Sequence, residues 1–279
     1  MTSRILNPET ALAEKDASGS VAEIFAEIRE VMEIPMITSL WRILVNIEDG
    51  LDNTWRAARI LYQTGQPQAA LLKITKDVAF PAPDALFPDE LADAGVAPKD
   101  LKMALSIVRA YNRSNGLNFV VLHSLLESPK GEAADRAISA TCEPWHAIPP
   151  LQEIADMNQI TRLRLSRFRD LIVLPGISGV PTVWRHLSHW PALLDLIYTS
   201  IKPLVKNGSI ESAMGQILTM AKEEGAHIAH LRPPIDSIPP VAMDFIRIYA
   251  HEVHQVITMC NGIQLWLEKT IRNEEELKK

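Results

Sequence analysis

The sequence predicts an all-α protein made of two helical repeats fused through a linker. Apolar residues recur at helical spacing along most of the chain, and no stretch keeps the alternation of a strand between turn residues. In addition, the pattern of Ser39–Leu44 recurs 143 positions later as Thr182–Leu187, each time with a Trp-Arg pair. A recurrence of this length is the size of a domain, which indicates a pseudo-dimer and not a solenoid.

The recurrence extends beyond the two Trp-Arg segments. In the same register Phe25 matches Phe168 and Trp55 matches Tyr198, and after a shift of five residues Tyr111 matches Tyr249. We therefore expect repeat one over 20–127, a linker over 128–150 and repeat two over 151–273. The ligand cavity of such a protein is expected at the seam, where equivalent turns of the two halves face each other.

The first half should form several short helices before a longer one. A capping-box pattern at Ser20 and Glu23 predicts a first helix that ends near Met32, where Pro35 follows. Thr38 is a suitable cap for a second helix. Further helices are predicted over 51–62, 68–78, from Pro98 to a bend or stop at 112–116, and over 117–126.

The second half should repeat this order after the linker, whose prolines, glycine and charges lack periodicity. Helices are predicted over 151–171, 182–188, 192–205, 209–224 and 241–273, with proline-rich connections before the second and the last of them.

Composition excludes several classes of protein. The net charge is −6 and acidic and basic residues are interspersed, so no basic stripe exists for a nucleic acid. Cys142 and Cys260 have no CxxC spacing, which favours packed thiols over a disulfide, a zinc site or a redox pair. No signal peptide and no uninterrupted apolar run of membrane-spanning length is found. We expect a cytoplasmic protein with neither a nucleic-acid partner nor a membrane partner.

Two turns are candidate walls of a pocket, residues 33–39 in repeat one and 176–183 in repeat two. Backbone amides at helix starts in such turns suit a carboxylate or a halide. Asn112 and Asn115 precede an apolar helix and are expected to point inward; the alternative is that they cap a helix or form a turn.

The histidines are concentrated in the second half. His251 and His254 have a spacing found in metal sites, but without a third ligand a structural role on an amphipathic helix is favoured, and no metal is expected. His186 lies on one helical face with Val183, next to the second turn. Arg42 and Arg185 are interpreted as rim arginines beside core tryptophans, with an anion clamp as the alternative.

Several motifs together resemble the group I 2-haloacid dehalogenases, all-α proteins made of two repeats. The resemblance covers nearly the whole chain. The motifs are the segment 18–29 leading to Ile34-Pro35, Trp55-Arg56, Ala110-Tyr111-Asn112 with Asn115, Leu125 with Glu127-Ser128, and Trp190-Pro191.

The resemblance implies a pocket between the repeats that binds a short 2-halocarboxylate without a cofactor. In that family an aspartate activates a water that displaces halide directly, so that both enantiomers can react. Asn115 matches the asparagine that holds this water. Thr182, Thr64 and Tyr249 match further pocket residues, while Met36 and Ser39 stand where the family has larger rings.

The aspartate itself is replaced, because Val183 stands at its position and no Asp or Glu occurs between Leu171 and Pro191. General-base catalysis requires a group within hydrogen-bond reach of the water. Three hypotheses remain: a diverged hydrolase with His186 as base, a small-carboxylate binder or enzyme of another reaction in the same pocket, and a structural helical protein. The resemblance also allows a homodimer.

Overall fold

The described residues of the chain form eleven α-helices joined by turns and short 3-10 segments. This computed structural model describes residues 7–132, 145, 147–171, 176 and 178–276. The helices are α1 (Gly19–Met32), α2 (Ser39–Leu44), α3 (Gly50–Tyr62), α4 (Gln66–Asp77), α5 (Pro88–Asp93), α6 (Pro98–Leu126), α7 (Gln159–Leu171), α8 (Thr182–Leu187), α9 (Pro191–Lys206), α10 (Ser209–Ile228) and α11 (Pro240–Glu276). No strand occurs in these described ranges, and the predicted all-α class is confirmed.

The two longest helices, α6 and α11, pack against each other in antiparallel directions. Three polar pairs define their direction: Lys102 with Glu275, Arg109 with Glu268, and Asn112 with Gln264. Residues later in α6 pair with residues earlier in α11, so the two helices are antiparallel.

Two hydrophobic cores lie along this helix pair. The first is formed by α1 to α4, α10, the second half of α6 and the first half of α11. The second is formed by α5, α7 to α9, the first half of α6 and the second half of α11. Each core therefore combines elements from both predicted repeats, and the repeat and linker boundaries stay a prediction.

Arg42 of α2 and Arg185 of α8 make equivalent contacts with chain segments that precede their helices. Arg42 donates to the backbone carbonyls of Ala11 and Leu12, while Arg185 donates to the carbonyl of Gln152 and to the carboxylate of Glu153. Both side chains are buried, so the expected position at a rim was wrong. Each arginine ties an earlier chain segment to its own short helix, α2 for Arg42 and α8 for Arg185.

The structure corrects the predicted helices at three places in particular. The first helix begins at Gly19, one residue before Ser20, with Ser18 as its N-cap. Residues 151–158 hold only a 3-10 turn, and α7 begins at Gln159. The bend expected at 112–116 is absent, because α6 continues unbroken and the side chains of Asn112 and Asn115 find partners on α11.

Asn118, on the buried face of α6, holds the first core together through three hydrogen bonds. Its carbonyl oxygen accepts from Trp41 Nε1 at 3.1 Å and from the Tyr62 hydroxyl at 2.9 Å. Its amide nitrogen donates to Thr38 Oγ1 at 3.0 Å. One fully buried amide thereby satisfies polar groups from α3 and from the start of α2.

In the described part of the chain, none of the helices combines the length and the apolar content that crossing a bilayer requires.

We predict that Asn118→Ala lowers the free energy of unfolding by about 3 kcal/mol or more, since it leaves three buried polar groups without a partner. Urea denaturation measures the change. Ser106→Ala removes an exposed side-chain hydrogen bond on the same helix and should change stability by less than about 0.5 kcal/mol. Equal effects of the two substitutions would contradict the role assigned to Asn118.

Candidate functional site

A small pocket lies where the starts of α2 and α8 meet α6 and α11. Its open volume is about 30 Å³. No Asp, Glu, His, Lys or Arg among the described residues lines it. The lining residues are Pro8, Ser39, Ile43, Asn115, Pro181, Thr182, Val183, Tyr249, Val253 and Val256. Five residues predicted for the site, Ser39, Asn115, Thr182, Val183 and Tyr249, thus converge here.

Two tyrosines interact with hydroxyl side chains across the predicted repeats. Against the rise in pKa that burial causes in both phenols, Ser39 acts to lower the pKa of Tyr249 and Thr182 that of Tyr111, so each hydroxyl lies close to the phenol of the other predicted repeat. In the sequence, Tyr111 matches Tyr249 and Ser39 matches Thr182, so the two contacts correspond to each other. The Tyr249 hydroxyl also donates to Asn115 Oδ1 at 3.3 Å. The small pocket is therefore closed by matched contacts from both halves of the chain.

Both tyrosines are neutral in the folded protein. Burial raises the pKa of Tyr111 to about 12 and raises the pKa of Tyr249 further above its ordinary value. A neutral phenol can donate one hydrogen bond and accept others, but it is a poor proton acceptor. The small pocket consequently offers hydroxyl and amide groups without a group of low or neutral pKa.

Val183 occupies the first turn of α8 and is fully buried against the small pocket. Its isopropyl group can neither accept a proton nor orient a water molecule. Val253 and Val256 of α11 add further apolar wall. The position expected to carry a base therefore forms part of an apolar surface.

A larger cleft opens beside the small pocket and has a volume of about 600 Å³. Met36 and His186, both predicted as site residues, lie in this cleft and not in the small pocket. Tyr111 lines the cleft, and its hydroxyl contacts both His186 and Thr182. Tyr111 thus connects the two cavities. The sequence analysis did not predict it as a site residue, although its match to the predicted site residue Tyr249 was a signal for it.

His186 is held by hydrogen bonds at both ring nitrogens. Nε2 lies 2.5 Å from the carbonyl oxygen of Pro149, and a carbonyl can only accept, so Nε2 carries the proton. Nδ1 lies 3.4 Å from the Tyr111 hydroxyl and accepts from it. Burial lowers the pKa of His186 to about 4, below the value near 6.5 that a free imidazole has.

Thr64 lies apart from the other predicted site residues, which corrects its expected place in the pocket wall. It lines a separate shallow depression with Ile60, Gln63 and Leu231. Its hydroxyl donates to the carbonyl of Leu61 and accepts from the backbone N–H of Gln66. Thr64 belongs to the turn that joins α3 to α4, and these local bonds use its hydroxyl.

The remaining candidates have structural surroundings. His254 stacks against Phe119, with ring centroids 6.3 Å apart, whereas His251 is exposed. Across the described ranges, no group of three or more His, Cys, Asp or Glu could hold a metal ion. Cys260 is buried, and burial raises the pKa of its thiol, while Cys142 lies outside the described residues.

Solved structures provide the comparison with known proteins, since no protein-family model and no curated protein matches the chain. A D-2-haloacid dehalogenase mutant in complex with D-2-CPA has a TM-score of 0.73 at 11% identity, over 98% of this chain and 96% of that chain. The chain has the fold of that dehalogenase.

Two further D-2-haloacid dehalogenase structures agree over nearly the full length. The complex with L-LA has a TM-score of 0.67 at 10% identity and covers 98% of this chain and 97% of that chain. Another mutant has a TM-score of 0.69 at 11% identity and covers 98% and 96%. The all-α fold expected from the sequence resemblance is therefore present from end to end.

We predict that His186 makes stability depend on pH. Because the pKa of His186 is about 4 in the folded protein and 6.5 for an imidazole exposed to water, the unfolded chain takes up the proton first as pH falls. The stability that the neutral ring contributes is present above pH 6.5 and is lost as pH falls to about 4, a change of about 3 kcal/mol.

Urea denaturation of wild type and His186→Gln at several pH values measures this contribution. The glutamine can still donate to the Pro149 carbonyl but does not titrate. The difference in unfolding free energy between wild type and variant should shrink steadily from pH 6.5 to 4. Two parallel curves would contradict a buried neutral imidazole.

Proposed function

We propose that this chain is a haloacid dehalogenase-like protein whose small pocket binds a short carboxylic acid without cleaving a carbon–halogen bond. The observation that carries the proposal is the uncharged lining of the small pocket, in a chain with the fold of D-2-haloacid dehalogenases. The polar groups kept there, Asn115, Thr182 and Tyr249, are those that the resemblance assigns to the pocket.

The absence of a base supports binding without hydrolysis. Displacement of halide by water requires a group that removes a proton from the water, and such a group contributes roughly two to four orders of magnitude. The resemblance assigns the position of the catalytic aspartate to Val183, whose side chain is fully buried. In the described residues, the pocket lining offers no carboxylate or imidazole that could replace it.

His186 is a weak substitute for the missing base. It lies in the large cleft, and Tyr111 links it to Thr182 at the small pocket. A group with a pKa near 4 is also a poor proton acceptor at neutral pH. The pocket is accordingly assigned to recognition of a small acid through its hydroxyl and amide groups.

We predict that wild type releases no halide from either enantiomer of 2-chloropropionate and that Val183→Asp does so. The new carboxylate would lie beside Asn115 and Thr182 and would act on a water between them. Halide release should exceed that of the Val183→Asn control by about 100-fold, since asparagine has a similar size but is no base.

Three outcomes would count against the proposal. Halide release by wild type would show that a base is present after all. A folded Val183→Asp variant that stays inactive would show that the pocket does not keep the dehalogenase arrangement. If 2-chloropropionate does not raise the melting temperature of wild type, the pocket does not bind short acids, because a ligand of the native state must stabilise it.

A further inference from the structure

The large cleft contains a buried arginine that makes no salt bridge to any described residue. Arg42 lines the cleft and is 3% exposed. An arginine side chain keeps its charge in a protein, and burying an unpaired charge is costly. Burial lowers the pKa of Arg42 from its ordinary value, because the charged form is less stable away from water.

The equivalent arginine of the other repeat provides an internal control. Arg185 is 1% exposed and makes a salt bridge to Glu153 at 2.7 Å. Arg42 donates from Nε and Nη2 to backbone carbonyls only, and in the described part of the chain it has neither a salt bridge nor a partner for Nη1. Arg185 therefore has a carboxylate in direct contact, and among the described residues Arg42 has none.

The carboxylates near Arg42 already have other partners. Glu14 accepts from the backbone N–H of Ile37 and pairs with Arg29 at 2.8 Å, and Glu153 pairs with Arg185. Lys15 and Asp156 lie exposed at the mouth of the cleft with opposite charges. Glu14 and Glu153 are close enough to raise the pKa of Arg42, and the second positive charge of Arg185 lowers it. Arg42 therefore lies among charges of both signs, and in the described part of the chain neither of these carboxylates makes a salt bridge with it.

We propose that the large cleft is a second ligand site, which binds an organic monocarboxylate with its carboxylate on Arg42 and its apolar body against the cleft walls. A volume of about 600 Å³ is within the usual range for ligand sites and suits an acid larger than the small pocket admits. Met36, Ile37, Ile148 and Leu151 supply apolar wall. The Tyr111 hydroxyl and the His186 ring add polar groups beside Arg42.

This site is separate from the small pocket, so the two proposals can fail independently. Tyr111 belongs to the cleft lining and Thr182 to the small pocket, while no residue lines both cavities. A wild type that binds an aromatic acid but not 2-chloropropionate would support the cleft site and contradict the function proposed for the small pocket.

The test uses calorimetric titration of the full chain with benzoate, phenylacetate and 3-phenylpropionate. The corresponding amides serve as neutral controls of the same shape. We expect saturable binding of at least one acid and binding of its amide that is at least about tenfold weaker, because a charge-assisted hydrogen bond is lost. No binding of any acid, or equal binding of acid and amide, would overturn the proposal.

Arg42→Met should weaken binding of the acid at least about tenfold, whereas Arg56→Met, at an exposed arginine on α3, should leave it unchanged. Because Arg42 also holds residues 11 and 12, Met36→Trp provides a second variant that keeps Arg42 and fills the cleft. It should abolish binding of 3-phenylpropionate, and Tyr249→Phe in the small pocket should not. Full binding by folded Arg42→Met, or by Met36→Trp, would contradict the cleft site.

Discussion

The structure depends on one constraint, that each buried asparagine of helix α6 must meet a polar side chain of a neighbouring segment. Residues 110–125 of this helix are buried, with the exception of Arg113, and they include three asparagines. Asn112 meets Gln264, Asn115 meets Tyr249, and Asn118 meets Trp41, Tyr62 and Thr38. An unpaired amide in such surroundings costs on the order of 1–3 kcal/mol. The three asparagines therefore fix where α2, α3 and α11 lie against α6, and the small pocket is the space that remains among those elements.

The same constraint explains what the sequence could predict and what it could not. Helical periodicity and proline positions located most helices, including starts at or next to Pro98, Pro191 and Pro240. The polar segment 112–116 was interpreted as a bend, since local sequence does not reveal that partners for Asn112 and Asn115 arrive from 134 to 152 residues away. The helix predicted over residues 151–158 was wrong for the opposite reason. Apolar residues of this segment pack against the second core without forming an α-helix.

The candidate site was predictable where the internal repeat or a motif marked it. Ser39, Asn115, Thr182, Val183 and Tyr249 meet at one pocket, as a pocket at the seam requires. Motif matching does not show which cavity a side chain lines. It therefore could not show that Met36 and His186 line the larger cleft and not the small pocket. It also placed Thr64 with the others, although that hydroxyl is used by its own turn. The link made by Tyr111 could not be predicted, because it depends on side-chain contacts with His186 in the cleft and with Thr182 in the small pocket.

The passage of α6 and α11 through both cores has a consequence for how the molecule comes apart. Each core takes one half of each long helix, so neither core can lose its packing while the other keeps both helices intact. A fragment that contains only one predicted repeat would keep one long helix and lose the other. Both halves of the remaining helix would then expose apolar residues to solvent. The two predicted repeats therefore share one packing unit, and we expect them to unfold together and not as separate modules.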